Sequence, residues 1–78
     1  MESEITLLIA DDHPMVRAGL KSMLSDSRIK IVGEASSGRE ALEMVTRLKP
    51  QVILMDIRMP DMDGIQALEE IKKIDAEI

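Results

Sequence analysis

The chain has 78 residues and contains no cysteine, phenylalanine, tyrosine or tryptophan. Without cysteine there can be no disulfide, thiol nucleophile or thiolate-bound zinc, and the composition suits a reducing cytosol. Without aromatic rings the core must be packed by Leu, Ile, Val, Ala and seven Met, with no large rigid anchor among them. No apolar run approaches the ~20 residues of a membrane span. The start, Met1-Glu2-Ser3-Glu4, is acidic where a secretory signal would be basic. A cytoplasmic protein with no membrane contact is the expectation. Ten Lys and Arg stand against fifteen Asp and Glu, for a net charge of −5. The basic residues are scattered from Arg17 to Lys73 with no aromatic interleaving, so this segment has no nucleic-acid footprint. The length allows one small domain, in which roughly 60% of the unfolded surface is buried.

What the chain does have is acids at the ends of apolar runs. Asp11 and Asp12 follow Ile5-Thr6-Leu7-Leu8-Ile9-Ala10, and Asp56 follows Val52-Ile53-Leu54-Met55. Short apolar runs each followed by helix-like sequence read as buried parallel strands, and ligand chemistry in such sheets gathers at the carboxyl ends of the strands. Three acids brought into one crevice raise one another's pKa, and an ionised trio calls for a compensating cation. Magnesium suits all-oxygen ligands. A plainer role exists for each acid alone, because Asp is favoured as a turn former and as a helix N-cap. Asp12 could serve in that way.

The rest of the chain alternates strand and helix. Val16, Leu20, Met23 and Leu24 share one face of a helix over Pro14–Leu24, and proline suits its first turn. Ile29–Ala35 sets Ile29, Ile31, Gly33 and Ala35 against Lys30, Val32 and Glu34, as in a half-exposed edge strand. Ser37-Gly38-Arg39-Glu40 has capping-box spacing, and Ala41, Leu42, Val45 and Leu48 continue an amphipathic helix that must stop before Pro50. After Asp56 comes a loop punctuated by Pro60 and Gly64, then Ile65, Leu68 and Ile71 at helical spacing through about Ile74. The order βαβαβα calls for a parallel sheet of α/β class, with the first helix on one face and the other two on the opposite face.

The segments Ile9-Ala10-Asp11-Asp12-His13-Pro14, Val32-Gly33-Glu34-Ala35, Leu54-Met55-Asp56-Ile57-Arg58-Met59-Pro60 and Met62-Asp63-Gly64 resemble a response-regulator receiver domain. The Asp-Asp-His-Pro start with Val16-Arg17 and Gly19-Leu20 is most similar to receivers of the NarL/FixJ (LuxR-type) subfamily, which commonly precede a helix-turn-helix DNA-binding domain. The resemblance implies a flavodoxin-like three-layer fold with sheet order 2-1-3. It also implies that Asp56 accepts a phosphoryl group from a sensor histidine kinase. Mg2+ would be held by Asp11, Asp12, Asp56 and the main-chain carbonyl of Arg58, with Pro60 and Gly64 shaping the loop. A carboxylate nucleophile assisted by a metal is consistent with the reading of the residues themselves.

Measured against the family pattern, residues 1–78 are expected to be a partial receiver of three βα units. The fourth-strand Ser or Thr, the fifth-strand Lys, the aromatic switch position and the output domain have no counterpart in this sequence. The third strand would then be an exposed apolar edge prone to self-association, by edge pairing or aggregation. Lys72 and Lys73 are expected to answer the dipole of the third helix.

Several other residues invite a role. His13, the only histidine, is expected to face solvent at a helix start. Met59 and Met62 are expected to pack rather than to contact a kinase. Asp61 and Asp63 are candidates to extend the acidic site, with Asp63 reading better as a helix cap, and Gly64 is expected to permit a turn that strains a side chain. A metal-dependent phosphatase or dehalogenase-like hydrolase would need an acid two residues after Asp56, where Arg58 stands. A non-phosphorylated interaction module is the remaining alternative, and the signalling role implied is not that of an enzyme.

Overall fold

The computed structural model describes residues 4–56, 58, 59, 61 and 63–78. Strands β1 (Ile5–Ala10), β2 (Ile29–Ala35) and β3 (Val52–Met55) alternate with helices α1 (Pro14–Leu24), α2 (Gly38–Leu48) and α3 (Gly64–Ile74). The three strands pair in parallel, in the order β2-β1-β3. This is the flavodoxin-like arrangement, with β1 at the centre. Being flanked on both edges and both faces, β1 carries the most apolar run, and Leu7, Leu8, Ile9 and Ala10 are all buried.

Register departs from simple alternation at one point. Leu7 pairs with Ile31 but Leu8 pairs with Gly33, so β2 advances two residues against one of β1. The bulge falls at Val32 and reverses the facing of everything after it. Glu34, expected opposite Ile29 and Ile31, instead shares their side of the sheet and meets α1. Its carboxylate lies 3.2 Å from Arg17 Nε and 2.9 Å from Lys21 Nζ. Gly33 turns toward α2, where an added Cβ would lie 2.9 Å from Leu48, 3.1 Å from Leu8 and 3.3 Å from the sulfur of Met44. A side chain has no room there.

The two faces are filled unequally. On the α2/α3 face, Leu8, Val45 and Ile71 pack together with Ile53 and Met55, and beside them Ala10, Ala35, Ala41 and Met59 form a second cluster. Met59 therefore packs, as expected. The α1 face is thin: no residue of α1 is buried, although Val16, Leu20, Met23 and Leu24 share a stripe. The helix leans on β2, which leaves Val52 and Leu54 of β3 43% and 44% exposed.

Helix ends follow local chemistry. Ser37 Oγ accepts from the Glu40 N–H, and Glu40 reaches back to the Ser36 N–H, one residue earlier than a strict capping box. Lys49 closes α2 in the left-handed conformation (φ 48°). Asp63 caps α3 by accepting from the Ile65 N–H at 2.7 Å. Lys72 donates to the carbonyls of Ala76 and Ile78 just past α3, the placement expected of a cation at a helix C-terminus.

Candidate functional site

The acids meet because the ladder continues past the strands. Ala10 pairs with Ala35 on one side and with Met55 on the other. One residue further on, Asp11 N–H donates to the Ala35 carbonyl and Asp56 N–H donates to the Ala10 carbonyl, both at 2.9 Å. Asp11 and Asp56 thus leave adjacent strands at the same level, at the separation of neighbouring strands. They open into a cleft of about 460 Å3 lined by Ile9, Ala10, Asp11, His13, Leu20, Leu54, Met55 and Asp56.

Each acid has a distinct environment. Asp11 Oδ1 accepts the His13 N–H at 2.8 Å, an Asx turn that leads the chain into α1, while Arg17 donates to the Asp11 carbonyl. Asp56 Oδ1 accepts the Arg58 N–H at 3.0 Å, which orients the carboxylate. Asp12 caps nothing: the N-cap of α1 is His13, without a side-chain cap bond. Asp12 Oδ1 is a buried oxygen with no hydrogen-bond partner among the described residues. Such an atom is costly to leave unsatisfied.

His13 is the residue whose role the sequence did not disclose. Its ring remains 63% exposed, yet Nδ1 lies 2.7 Å from Asp11 Oδ1, 3.0 Å from Asp12 Oδ1 and 3.8 Å from Asp56 Oδ2. The contact with Asp12 does not have hydrogen-bond geometry; the one with Asp11 does. Two local constraints hold the ring there, the Asx turn and the restriction Pro14 places on the preceding residue (φ −103°, ψ 107°). The hydrogen bond to Asp11 and then the charge of Asp12 hold the imidazole pKa above its usual value against a smaller desolvation effect, with Asp11 and Asp56 adding to the rise. Burial opposes ionisation of Asp11, but hydrogen bonds from the His13 main chain and ring, with the charges of His13 and Arg17, hold its carboxyl below the usual range. The rise expected from crowding of acids is not seen at Asp11, where the opposing effect is burial. The signal in the sequence was Asp-Asp-His-Pro, whose proline restricts the backbone of the histidine before it.

The donor set fits a divalent cation. Asp11, Asp12, His13 and Asp56 each offer one ligand atom, and these atoms lie within 4.8 Å of one another. A cation between them would also satisfy the orphaned oxygen of Asp12.

Other candidates resolve differently. Asp61 does not extend the cluster; it accepts from the Gly38 N–H at 2.8 Å and the Arg39 N–H at 3.0 Å at the start of α2. These two bonds hold its carboxyl below the usual range. Gly64 is buried in the first turn of α3, and no glycine among the described residues has positive φ, so backbone strain is not the reason for glycine there. Pro60 and Met62 lie outside the described residues.

A parallel sheet with acids from two adjacent strand ends in one cleft is the arrangement expected of a receiver domain, and the sequence agrees. Residues 7–78 match the response regulator receiver domain family, and the chain belongs to that family. Response regulator protein VraR of Staphylococcus saprophyticus is 53% identical over 70 residues, covering 88% of this chain and 34% of that protein. The signal receiver domain of a NarL regulator from Mycobacterium tuberculosis superposes with a TM-score of 0.86 at 37% identity, covering 92% of this chain and 59% of that one. A CheX–CheY–BeF3–Mg2+ complex from Borrelia burgdorferi gives 0.86 at 29% identity over 95% of this chain and 57% of that one. The chain therefore spans about a third of that curated relative and under two thirds of either structure. The expected resemblance to NarL-type receivers is borne out. No described helix is long and apolar enough to cross a membrane.

Proposed function

We propose that Asp56 is the phosphoacceptor of this receiver domain and that Asp11, Asp12, Asp56 and the main-chain carbonyl of Arg58 hold Mg2+ beside it. The observation that carries this reading is the ladder-fixed pairing of Asp11 with Asp56 around the unsatisfied Asp12 oxygen. Further support is that the CheY relative named above is a complex with BeF3 and Mg2+.

In the transfer, a carboxylate oxygen of Asp56 attacks the phosphorus of a phosphohistidine on a sensor histidine kinase. The P–N bond breaks as the P–O bond of an acyl phosphate forms, and the imidazole leaves with the P–N electron pair, taking one proton from solvent. Mg2+ when bound offsets charge on the acids and on the transferring oxygens. The Arg58 N–H on Oδ1 fixes the rotation of the nucleophile before the donor arrives. Arg58, rather than an acid, stands two residues after Asp56, which argues against a hydrolase. The setting proposed is cytoplasmic, with DNA binding carried by a helix-turn-helix segment of a longer regulator and none by this acidic chain.

Intact-mass analysis after incubation with Mg2+ and a small phosphodonor tests the assignment. One phosphoryl adduct on the chain and none on Asp56→Asn is expected. An adduct that persists in Asp56→Asn refutes it.

A second reading concerns association. β3 pairs only with β1 among the described residues, and Val52 and Leu54 are exposed beside its outer edge. We propose that chains self-associate along this edge. Val52→Lys with Leu54→Lys should return a dimer or larger species to monomer in sedimentation analysis; a wild-type monomer at high concentration refutes it.

A further inference from the structure

We infer that His13 is a further side-chain ligand of the acidic site, beside the three carboxylates and the Arg58 carbonyl, whose nitrogen gives the site a preference for d-block divalent cations such as Zn2+ beyond what the oxygen ligands alone confer. The inference rests on the proposed cation site and adds to it a residue outside the oxygen set.

The imidazole is turned with Nδ1 toward the acids, at 2.7 Å, 3.0 Å and 3.8 Å from oxygens of Asp11, Asp12 and Asp56. Its ligand atom belongs to the same 4.8 Å group as theirs. The Asx turn and Pro14 hold the backbone in this pose, and the ring is largely exposed. Nδ1 can act as donor or acceptor according to the tautomer. In the present pose Nδ1 faces the Asp11 carboxylate across a hydrogen bond; a cation that takes Nδ1 as a ligand replaces the shared proton, which passes to solvent, and leaves the ring proton on Nε2.

The ligand chemistry then divides by metal. Mg2+ favours oxygen and keeps its waters, and gains little from an imidazole. Zn2+, Co2+ and Mn2+ accept mixed nitrogen and oxygen sets, with affinity rising along the series toward zinc's neighbours. A site of three carboxylates and one imidazole is a chelate suited to that group, and removing the nitrogen should be felt by Zn2+ and not by Mg2+.

His13 is the sole histidine, so its ring nitrogens give unambiguous signals in 15N NMR. Zn2+ and Mg2+ are titrated separately into the folded chain, with calorimetric affinities for wild type, His13→Ala and His13→Gln, and far-UV circular dichroism as the folding control. The expected result is a large Zn2+-dependent shift confined to Nδ1, a loss of about tenfold or more in Zn2+ affinity in both variants, and Mg2+ affinity within about twofold of wild type. Zn2+ binding that leaves the imidazole signals in place, or equal Zn2+ affinity in the variants, overturns the role of His13 while leaving the carboxylate site standing. If neither cation binds the folded wild type, or if Asp12→Asn binds both as well as wild type, the cation site itself is refuted, and this inference falls with it.

Discussion

Two glycines with opposite surroundings give a sharp test of the packing. At Gly33 an alanine Cβ would stand 2.9 Å from Leu48 Cδ1, 3.1 Å from Leu8 Cδ1 and 3.3 Å from Met44 Sδ. Leu48 is at the half-open rim and can swing aside, but Leu8 is wholly buried and its neighbours Val45 and Ile71 leave it nowhere to go. Over-packing of this kind costs about 1–3 kcal/mol. The narrower unfolded ensemble of alanine returns about 0.4–1 kcal/mol. Gly33→Ala should therefore be about 1–2 kcal/mol less stable than wild type. At Gly19, in the middle of α1, nothing lies within 4 Å of the added atom, so alanine there should stabilise by up to about 1 kcal/mol through helix propensity alone. In a domain of this size each kcal/mol moves Tm by roughly 4–8 °C. Thermal unfolding followed by far-UV circular dichroism is the appropriate assay, since the chain has no aromatic fluorophore. Gly33→Ala melting at or above wild type, or Gly19→Ala melting below it, would refute the placement of the bulge and of the two faces.

Further outcomes follow from other contacts. Ile71→Ala empties a fully buried position of the central cluster and should cost about 2–5 kcal/mol in urea unfolding. Asp61→Ala removes the acceptor of two N–H groups at the start of α2; a lower melting temperature is expected, and amide exchange of Gly38 and Arg39 should accelerate. Lys21, then Arg17, hold the Glu34 carboxyl below its usual pKa against its partial burial. A lowered folded pKa means stability that is present above the unfolded value, about 4.3, and is lost as pH falls through the folded one. Glu34→Gln should thus flatten the acid limb of the stability curve below that pH, and an unchanged limb would show that the ion pairs contribute nothing.

The element boundaries were legible because each is set by nearest neighbours in the chain. Pro14 begins α1, Ser37 and Glu40 begin α2, Asp63 begins α3, and apolar runs ending in acids mark the strands; periodicity and capping are local effects. The acids Asp11, Asp12 and Asp56 were legible as a group because parallel strands bring their carboxyl ends together whatever the details. The bulge at Val32 was not. It sets Gly33 close against Leu8 of β1 and Met44 and Leu48 of α2, contacts between segments distant in sequence, and through it Glu34 changes face and finds Arg17 and Lys21. Asp61 looked like part of the acidic site because it is close in sequence to Asp56, yet the fold gives its carboxylate to α2. His13 looked solvent-facing because exposure and a ligand-like pose are compatible, and only the turn geometry distinguishes them.

The sequence by itself determined which stretches become helix or strand, their order, and that carboxylates gather at one end of the sheet, because these depend on patterning and on bonds between close neighbours. The tertiary structure decided which oxygen is left unsatisfied, where the single imidazole points, which side of the sheet each residue after Val32 faces, and how much of β3 stays open. Those depend on register and on packing between segments far apart in the chain, where a one-residue shift reverses the facing of a side chain.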